Sequence, residues 1–205
     1  MSFDTTELNR QRHRFERESQ VWLFGYGSLI FKPDFPFIAQ RRASVGGWQR
    51  RFWQGSHDHR GTPSAPGRVV TLVACEQARC EGMAYLITPQ QFEHLDRREK
   101  NGYLRIQAPI NFTAGGTADA LLYVADAQNA AWLGAAPIDV MAAQIACAVG
   151  PSGTNRDYLF ALSRALHELG STDAHVFELD ARVRATATAT AAMPLGTPAP
   201  ACVPL

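Results

Sequence analysis

Gly25-Tyr26-Gly27-Ser28, inside "VWLFGYGSLIFKP" (21–33), sets two glycines around a tyrosine and follows them with a hydroxyl. That spacing suggests three chemistries. A dinucleotide fingerprint would need glycine or alanine at position 30, which is Ile30, and no lysine stands in P-loop register. A nucleophile elbow around Ser28 would need glycine where Tyr26 and Ile30 stand, and Ser152 fails because Thr154 holds the closing position. The third is anion binding: a glycine-flanked turn at a strand end can offer consecutive backbone N–H groups to a carboxylate, with the glycines permitting positive φ and close approach. A plain tight turn fits the same residues, and spacing alone favours it.

His57 and His59 could share a strand face and, with Cys75 or Cys80, complete a metal site, but "DHRGTP" reads as a loop and no metal is expected. Trp48, Arg50, Arg51, Trp53 and Arg60 mix cations and aromatics as a single-stranded nucleic-acid surface would. A strand with one buried and one solvated face accounts for them more simply. Glu99, in "LDRREKNGY" (95–103), reads by spacing as a solvated ion-pair partner of Arg97, Arg98 or Lys100.

These residues need elements to position them. "VWLFG" (21–25) is a short apolar run ending in glycine, a buried strand. "RRASVGGWQRRFWQGS" (41–56) alternates, with Trp48, Arg50 and Phe52 on one face and Gln49, Arg51 and Trp53 on the other. Proline and glycine make 58–67 a loop, after which 68–74 and 80–88 read as a paired-strand unit, with further strands at 104–112 and 118–126. Thr88 and Pro89 give an N-cap and a first-turn proline to a helix over 89–99 that stops near Asn101-Gly102. Helices follow at 138–148 and 155–169, the second with Tyr158, Leu159, Leu162, Leu166 and Leu169 at helical spacing; 174–184 is a helix or a short strand. Strands with one inserted helix, then helices, indicate an α+β fold. Residues 1–20 form a polar extension, helical over 4–19 with Asp4 or Thr5 as cap and lying on the surface. The domain proper is 21–184, and 185–205 is an Ala/Thr/Pro-rich tail, mobile or laid along the surface.

With 205 residues, 46% of them hydrophobic, one well-buried core is expected. Twenty basic against 19 acidic side chains leave a net charge of +1, which gives no bulk field to recruit nucleic acid or an anionic membrane. The charged N-terminus does not fit a secretory signal, and no segment nears about 18 uninterrupted apolar residues, so a soluble cytoplasmic protein is expected. Cys75, Cys80, Cys147 and Cys202 lack CxxC spacing and read as free thiols. The oligomeric state is left open.

"FGYGSLI" (24–30) and "LDRREKNGY" (95–103), together with "GWQRRFWQGSHDHRGTPSAPGRVVTL" (47–72) and "GPSGTNRDYL" (150–159), resemble the ChaC-like γ-glutamylcyclotransferases, the glutathione-specific branch of the γ-glutamylcyclotransferase-like fold. The resemblance runs from roughly 21 to 182. It implies a compact mixed β-barrel with surrounding helices, and an enzyme that splits glutathione into 5-oxoproline and cysteinylglycine without metal, nucleotide or other cofactor. It further implies that Tyr26, Gly27, Ser28 and Leu29 hold the γ-glutamyl group and that Glu99 is the acid/base. The family's double glycine appears here as Asn101-Gly102; asparagine tolerates left-handed backbone, so the turn should survive. Arg51 and Arg60 could each pair with a glutathione carboxylate or be structural cations. Tyr103 could line the pocket or be a half-buried strand residue, while Tyr158 is expected to pack against the sheet.

The chemistry makes one demand. The α-amine of the γ-glutamyl group must lose a proton to attack its own γ-carbonyl, and the leaving amine must gain one, so a single carboxyl can serve both steps. The nucleophile is already tethered, and holding it in near-attack geometry is the larger part of the task. The same reaction on another γ-glutamyl amine or dipeptide, and a non-catalytic γ-glutamyl-binding module, are the alternatives.

Overall fold

The computed structural model describes residues 4–13, 15 and 18–191, with backbone alone for 187–191. Five strands close into a barrel in the order β1 (Val21–Gly25), β3 (Gly67–Ile87), β2 (Ala39–Ser56), β4 (Leu104–Phe112), β5 (Thr117–Val124). Closure comes from β5 running parallel to β1 through Trp22↔Ala120 and Leu23↔Leu121; the other pairings are antiparallel. No strand of the barrel is left with an open edge.

The segments 68–74 and 80–88, expected to pair with each other, are instead parts of one 21-residue strand, β3. Its first part pairs with Trp48–Ser56 and its second with Ala39–Gly46 and with β1. The reason is local: "CEQAR" (75–79) contains no glycine or proline to turn the chain. Two irregularities in the β2/β3 register, between Gly46 and Trp48 and between Arg51 and Gln54, let the long ladder curve.

Alternation along the strands sorts the side chains into two clusters. Leu23, Tyr85, Ile87, Leu121 and Tyr123 join Phe92 and Leu95 of α2 (Gln91–Arg98). Phe24, Phe52, Val70 and Leu122 face the other way, toward α3 (Ile138–Cys147), α4 (Asn155–Leu169) and α5 (Ala174–Ala191). In α4, the Thr154 hydroxyl accepts from Asp157 N at 3.1 Å, Gly170 ends the helix at φ 74°, and Leu159, Leu162 and Leu166 are fully buried. Each such leucine contributes about 1.5–3 kcal/mol.

Three boundaries differ from expectation. α2 begins at Gln91 because Thr88 and Pro89 supply carbonyls to Gln91 and Phe92, and the threonine hydroxyl does not cap it. The N-terminal helix, α1 (Thr6–Arg12), is shorter than 4–19 and is docked: the side chains of Thr5 and buried Asn9 donate to the Tyr103 carbonyl at 2.7 and 3.0 Å. Residues 174–184 are helical, and α5 continues through 185–191, where alanine and threonine alternate without glycine or proline. The rest of the tail, 192–205, lies outside the described residues. Cys75 and Cys80 are free thiols, whereas Cys147 is disulfide-bonded and so departs from expectation; Cys202 lies outside the described residues. Among the described residues, no helix is long and apolar enough to cross a membrane.

Candidate active site

The chain leaves β1 at Gly25 and turns tightly enough that its glycines have no room for a side chain. A Cβ on Gly25 would lie 2.6 Å from Leu29 Cβ, and one on Gly27 would lie 2.9 Å from Val70 Cγ2 and 3.2 Å from the Tyr158 hydroxyl. Neither glycine adopts positive φ, so close approach, and not left-handed backbone, is what requires them. Ser28–Ile30 forms one 3-10 turn, with Ile30 N donating to the Gly27 carbonyl at 3.0 Å. Among the described residues no acceptor takes the N–H groups of Gly27, Ser28 or Leu29. Three consecutive donors therefore stand available at the turn.

Tyr26 is a buried anchor: its hydroxyl donates to the Tyr123 carbonyl at 2.5 Å, and its own carbonyl accepts from Arg50 Nε at 2.6 Å. Arg50, 1% exposed, also reaches Asp173 and the Glu81 carbonyl, each at 2.5 Å. A fully buried guanidinium thus fixes the back of the loop. Its signal in the sequence was a cation on the same strand face as Phe52, where burial obliges a charge to find partners.

α2 ends by delivering Glu99 as its C-cap, with Glu99 N donating to the Leu95 carbonyl at 2.8 Å. Glu99 lines a cavity of about 200 Å³ that Gly27, Ser28, Leu29, Tyr103 and Tyr158 also line. Arg98 joins the two sides. Its Nη2 donates to Ser28 Oγ at 2.8 Å, its Nη1 to the Lys32 carbonyl at 3.1 Å and to the Asp34 carboxylate, and its Nε lies 3.3 Å from Glu99 Oε1. Ser28 is therefore an acceptor of an arginine hydrogen bond.

The ion pair expected of Glu99 exists, but it is not solvated: the Glu99 side chain is 17% exposed. Burial raises its pKa above the ordinary carboxylate value; Arg98 pulls it back, and Asp34 and Asp58 push it up further. Tyr103 is buried with its hydroxyl on the Val70 carbonyl at 2.7 Å, and burial raises both its pKa and that of Tyr158. Tyr158 does more than pack on the sheet, since it forms part of the cavity wall beside Gly27.

Arg51 does not belong to this cavity. With its neighbour Arg50 it lines a separate polar cavity that Arg79, Glu81 and His175 also border. There its Nη1 donates to the Arg50 carbonyl at 2.8 Å and its Nη2 to Gln49 Oε1. Burial, then Arg51, lowers the His175 pKa to about 4, and its Nε2 accepts from Phe52 N at 3.1 Å.

Asn101 needs no left-handed backbone; Gly102 carries the positive φ, 82°. Instead, the Asn101 side chain donates to the Gly55 carbonyl at 3.2 Å, and the Asn101 backbone carbonyl accepts from Gln54 Nε2 at 3.0 Å, tying the Glu99 turn to β2. His59 lies 3.0 Å from Ser152 Oγ, and among the described residues no three His, Cys, Asp or Glu side chains are placed to hold a metal.

A family model described as ChaC-like protein matches residues 21–186. Gamma-glutamylcyclotransferase 2-3 of Arabidopsis thaliana is 44% identical over 176 residues, covering 80% of this chain and 88% of that protein. Glutathione-specific gamma-glutamylcyclotransferase 1 of Danio rerio is 37% identical over 181 residues, covering 82% and 91%. The crystal structure of a gamma-glutamyl cyclotransferase specific to glutathione from yeast is similar at a TM-score of 0.76 and 29% identity, over 82% of this chain and 97% of that one.

Proposed function

The chain belongs to the ChaC-like family, and from that premise we propose that it splits glutathione into 5-oxoproline and cysteinylglycine, with Glu99 as the proton carrier. The observation that supports this reading is one cavity lined both by a half-buried carboxyl with raised pKa and by a loop whose three consecutive backbone N–H groups have no acceptor among the described residues.

The N–H groups of Gly27, Ser28 and Leu29 hold the γ-glutamyl group, with Tyr26 fixing the loop and Tyr103 walling the site. Glu99 takes a proton from the α-ammonium, and the freed amine attacks the γ-carbonyl, closing the five-membered lactam ring. As the C–N bond to cysteine breaks, Glu99 returns the proton to the departing amine and then relays the ring nitrogen's surplus proton the same way, leaving a neutral lactam and a cysteinylglycine ammonium; no water is consumed and no covalent enzyme intermediate forms. A raised pKa suits both halves, because the group must accept and then release a proton near neutral pH. On this reading the partner is a cytoplasmic small molecule and no nucleic acid is involved, in keeping with the net charge of +1.

The test is 5-oxoproline release by the purified protein from glutathione, glutathione disulfide and γ-Glu-Ala. Turnover of glutathione is expected to dominate. Turnover confined to γ-Glu-Ala would move the assignment to other γ-glutamyl amines, and binding without release would leave a binding module.

A further inference from the structure

Beyond the loop and Glu99, the cavity wall carries one half-buried guanidinium that no carboxylate claims. Arg60 lies in the 57–66 connection between β2 and β3, and Arg98 is committed to Asp34 and Glu99, whereas Arg60 has no acidic partner among the described residues. One of its side-chain N–H groups donates to the Thr154 carbonyl at 3.2 Å, and its guanidinium carbon lies 5.7 Å from the centre of the Tyr158 ring. A guanidinium carries five donors, so most of its capacity is unspent.

The backbone under Arg60 is held without slack. Arg60 N donates to Ser56 Oγ at 3.0 Å, and Ser152 N donates to the His59 carbonyl at 2.9 Å. A Cβ on Gly67 would lie 2.4 Å from the Arg60 carbonyl oxygen, and one on Gly150 would lie 2.3 Å from that of His59. Such packing fixes the point from which the side chain starts, and the Thr154 contact and the Tyr158 ring border its far end, which lowers part of the ordering cost of binding a ligand. Position then suggests the ligand. A single side chain, Tyr158, separates Arg60 from the loop, its hydroxyl beside Gly27 and its ring beside Arg60. A dipeptide leaving group reaches about 7 Å from the scissile bond to its C-terminal carboxylate.

We infer that Arg60 binds the C-terminal carboxylate of the leaving dipeptide and so makes the enzyme prefer γ-glutamyl peptides ending in a free glycine carboxylate over those ending in a neutral group. This rests on the cyclotransferase reading above. Arg60 is then a specificity-determining contact remote from the reacting atoms, and an arginine fork suits a carboxylate better than a lysine would.

The test crosses enzyme and substrate. Wild type, Arg60→Gln and Arg60→Lys are assayed for 5-oxoproline release from glutathione and from its glycine C-terminal amide. Wild type is expected to favour the acid by roughly 10- to 100-fold in kcat/KM. Arg60→Gln is expected to lose that preference while turning over the amide like wild type, and Arg60→Lys to fall between. No preference in wild type, a preference that survives Arg60→Gln, or equal losses on both substrates would overturn the assignment; so would transfer of the effect to Lys32→Gln, a cation at the exposed rim of the cavity. Calorimetric titration of both ligands into Glu99→Gln and Glu99→Gln/Arg60→Gln separates this inference from its premise. If wild type released no 5-oxoproline but Arg60 still set the acid-over-amide affinity, the reaction would be wrong and the carboxylate site right. If neither ligand bound, both would fall.

Discussion

Asp96 and Glu99 stand three residues apart at the end of α2, and burial raises the pKa of both, yet their surroundings assign them opposite tasks. Asp96 is 2% exposed, accepts the Tyr123 hydroxyl at 2.6 Å and lies 3.3 Å from Arg105 Nε, itself 2% exposed. Both contacts fall on Oδ1, and Asp96 is not part of the cavity wall. Among the described residues Glu99 has one cation in ion-pair contact, Arg98, whose other N–H groups are shared among Ser28, Lys32 and Asp34, and Glu99 lines the cavity. Burial alone does not make a carboxylate reactive; burial with acceptor capacity facing a ligand space does.

Glu99→Gln gives the sharpest test of that contrast: kcat should fall by about 10²–10⁴-fold while glutathione affinity in a calorimetric titration changes little. Its stability should carry a sign as well. The folded pKa lies above the unfolded value, so the folded state holds the Glu99 proton longer and its stability contribution falls as pH rises from about 4.5. The glutamine variant should therefore match or exceed wild type in Tm at neutral pH, with the difference shrinking toward acid. Persisting turnover would remove Glu99 from the mechanism.

Asp96→Ala should show the reverse pattern. It strands Arg105 in the core, and urea denaturation should register a loss of about 3–5 kcal/mol, with the folded fraction keeping near-normal kcat. A collapse of kcat at unchanged stability would erase the distinction between the two carboxyls. Gly27→Ala forces a methyl to within 2.9 Å of Val70 Cγ2 and should raise KM roughly tenfold more than it lowers kcat. The smallest effect belongs to Arg98→Gln. Because Arg98 holds the Glu99 pKa down, its loss should move the acid limb of the kcat profile to higher pH; an unmoved limb would reduce Arg98 to a loop tether.

Much of the frame was legible locally. The strand Val21–Gly25 and the leucine face of α4 follow from apolar runs and periodicity, which are short-range properties of the chain. Two apolar runs within 68–88 look like two strands when read one at a time, yet nothing between them can turn and they form the single strand β3. Of the proposed site residues, Tyr26, Gly27, Ser28, Leu29, Glu99 and Tyr103 lie together, whereas Arg51 lines a different cavity, because which cavity a strand residue borders depends on the elements packed over it and not on its spacing along the strand. Spacing could not separate Arg98 from Arg97 and Lys100, because a one-dimensional charge run does not say which cation meets the loop some 70 residues away.

By itself, the sequence determined which segments could be strands and helices, that Gly25-Tyr26-Gly27-Ser28 turns the chain without a nucleotide or nucleophile pattern, and, through resemblance, which two motifs belong together. Only the tertiary structure decided that the turn's N–H groups have no acceptor among the described residues, that Glu99 is half-buried in the cavity they line, and that Arg60 and not Arg51 shares that cavity. The physical reason is that burial, desolvation and hydrogen-bond saturation arise when distant segments are packed together by barrel closure, and no window of neighbouring residues contains them.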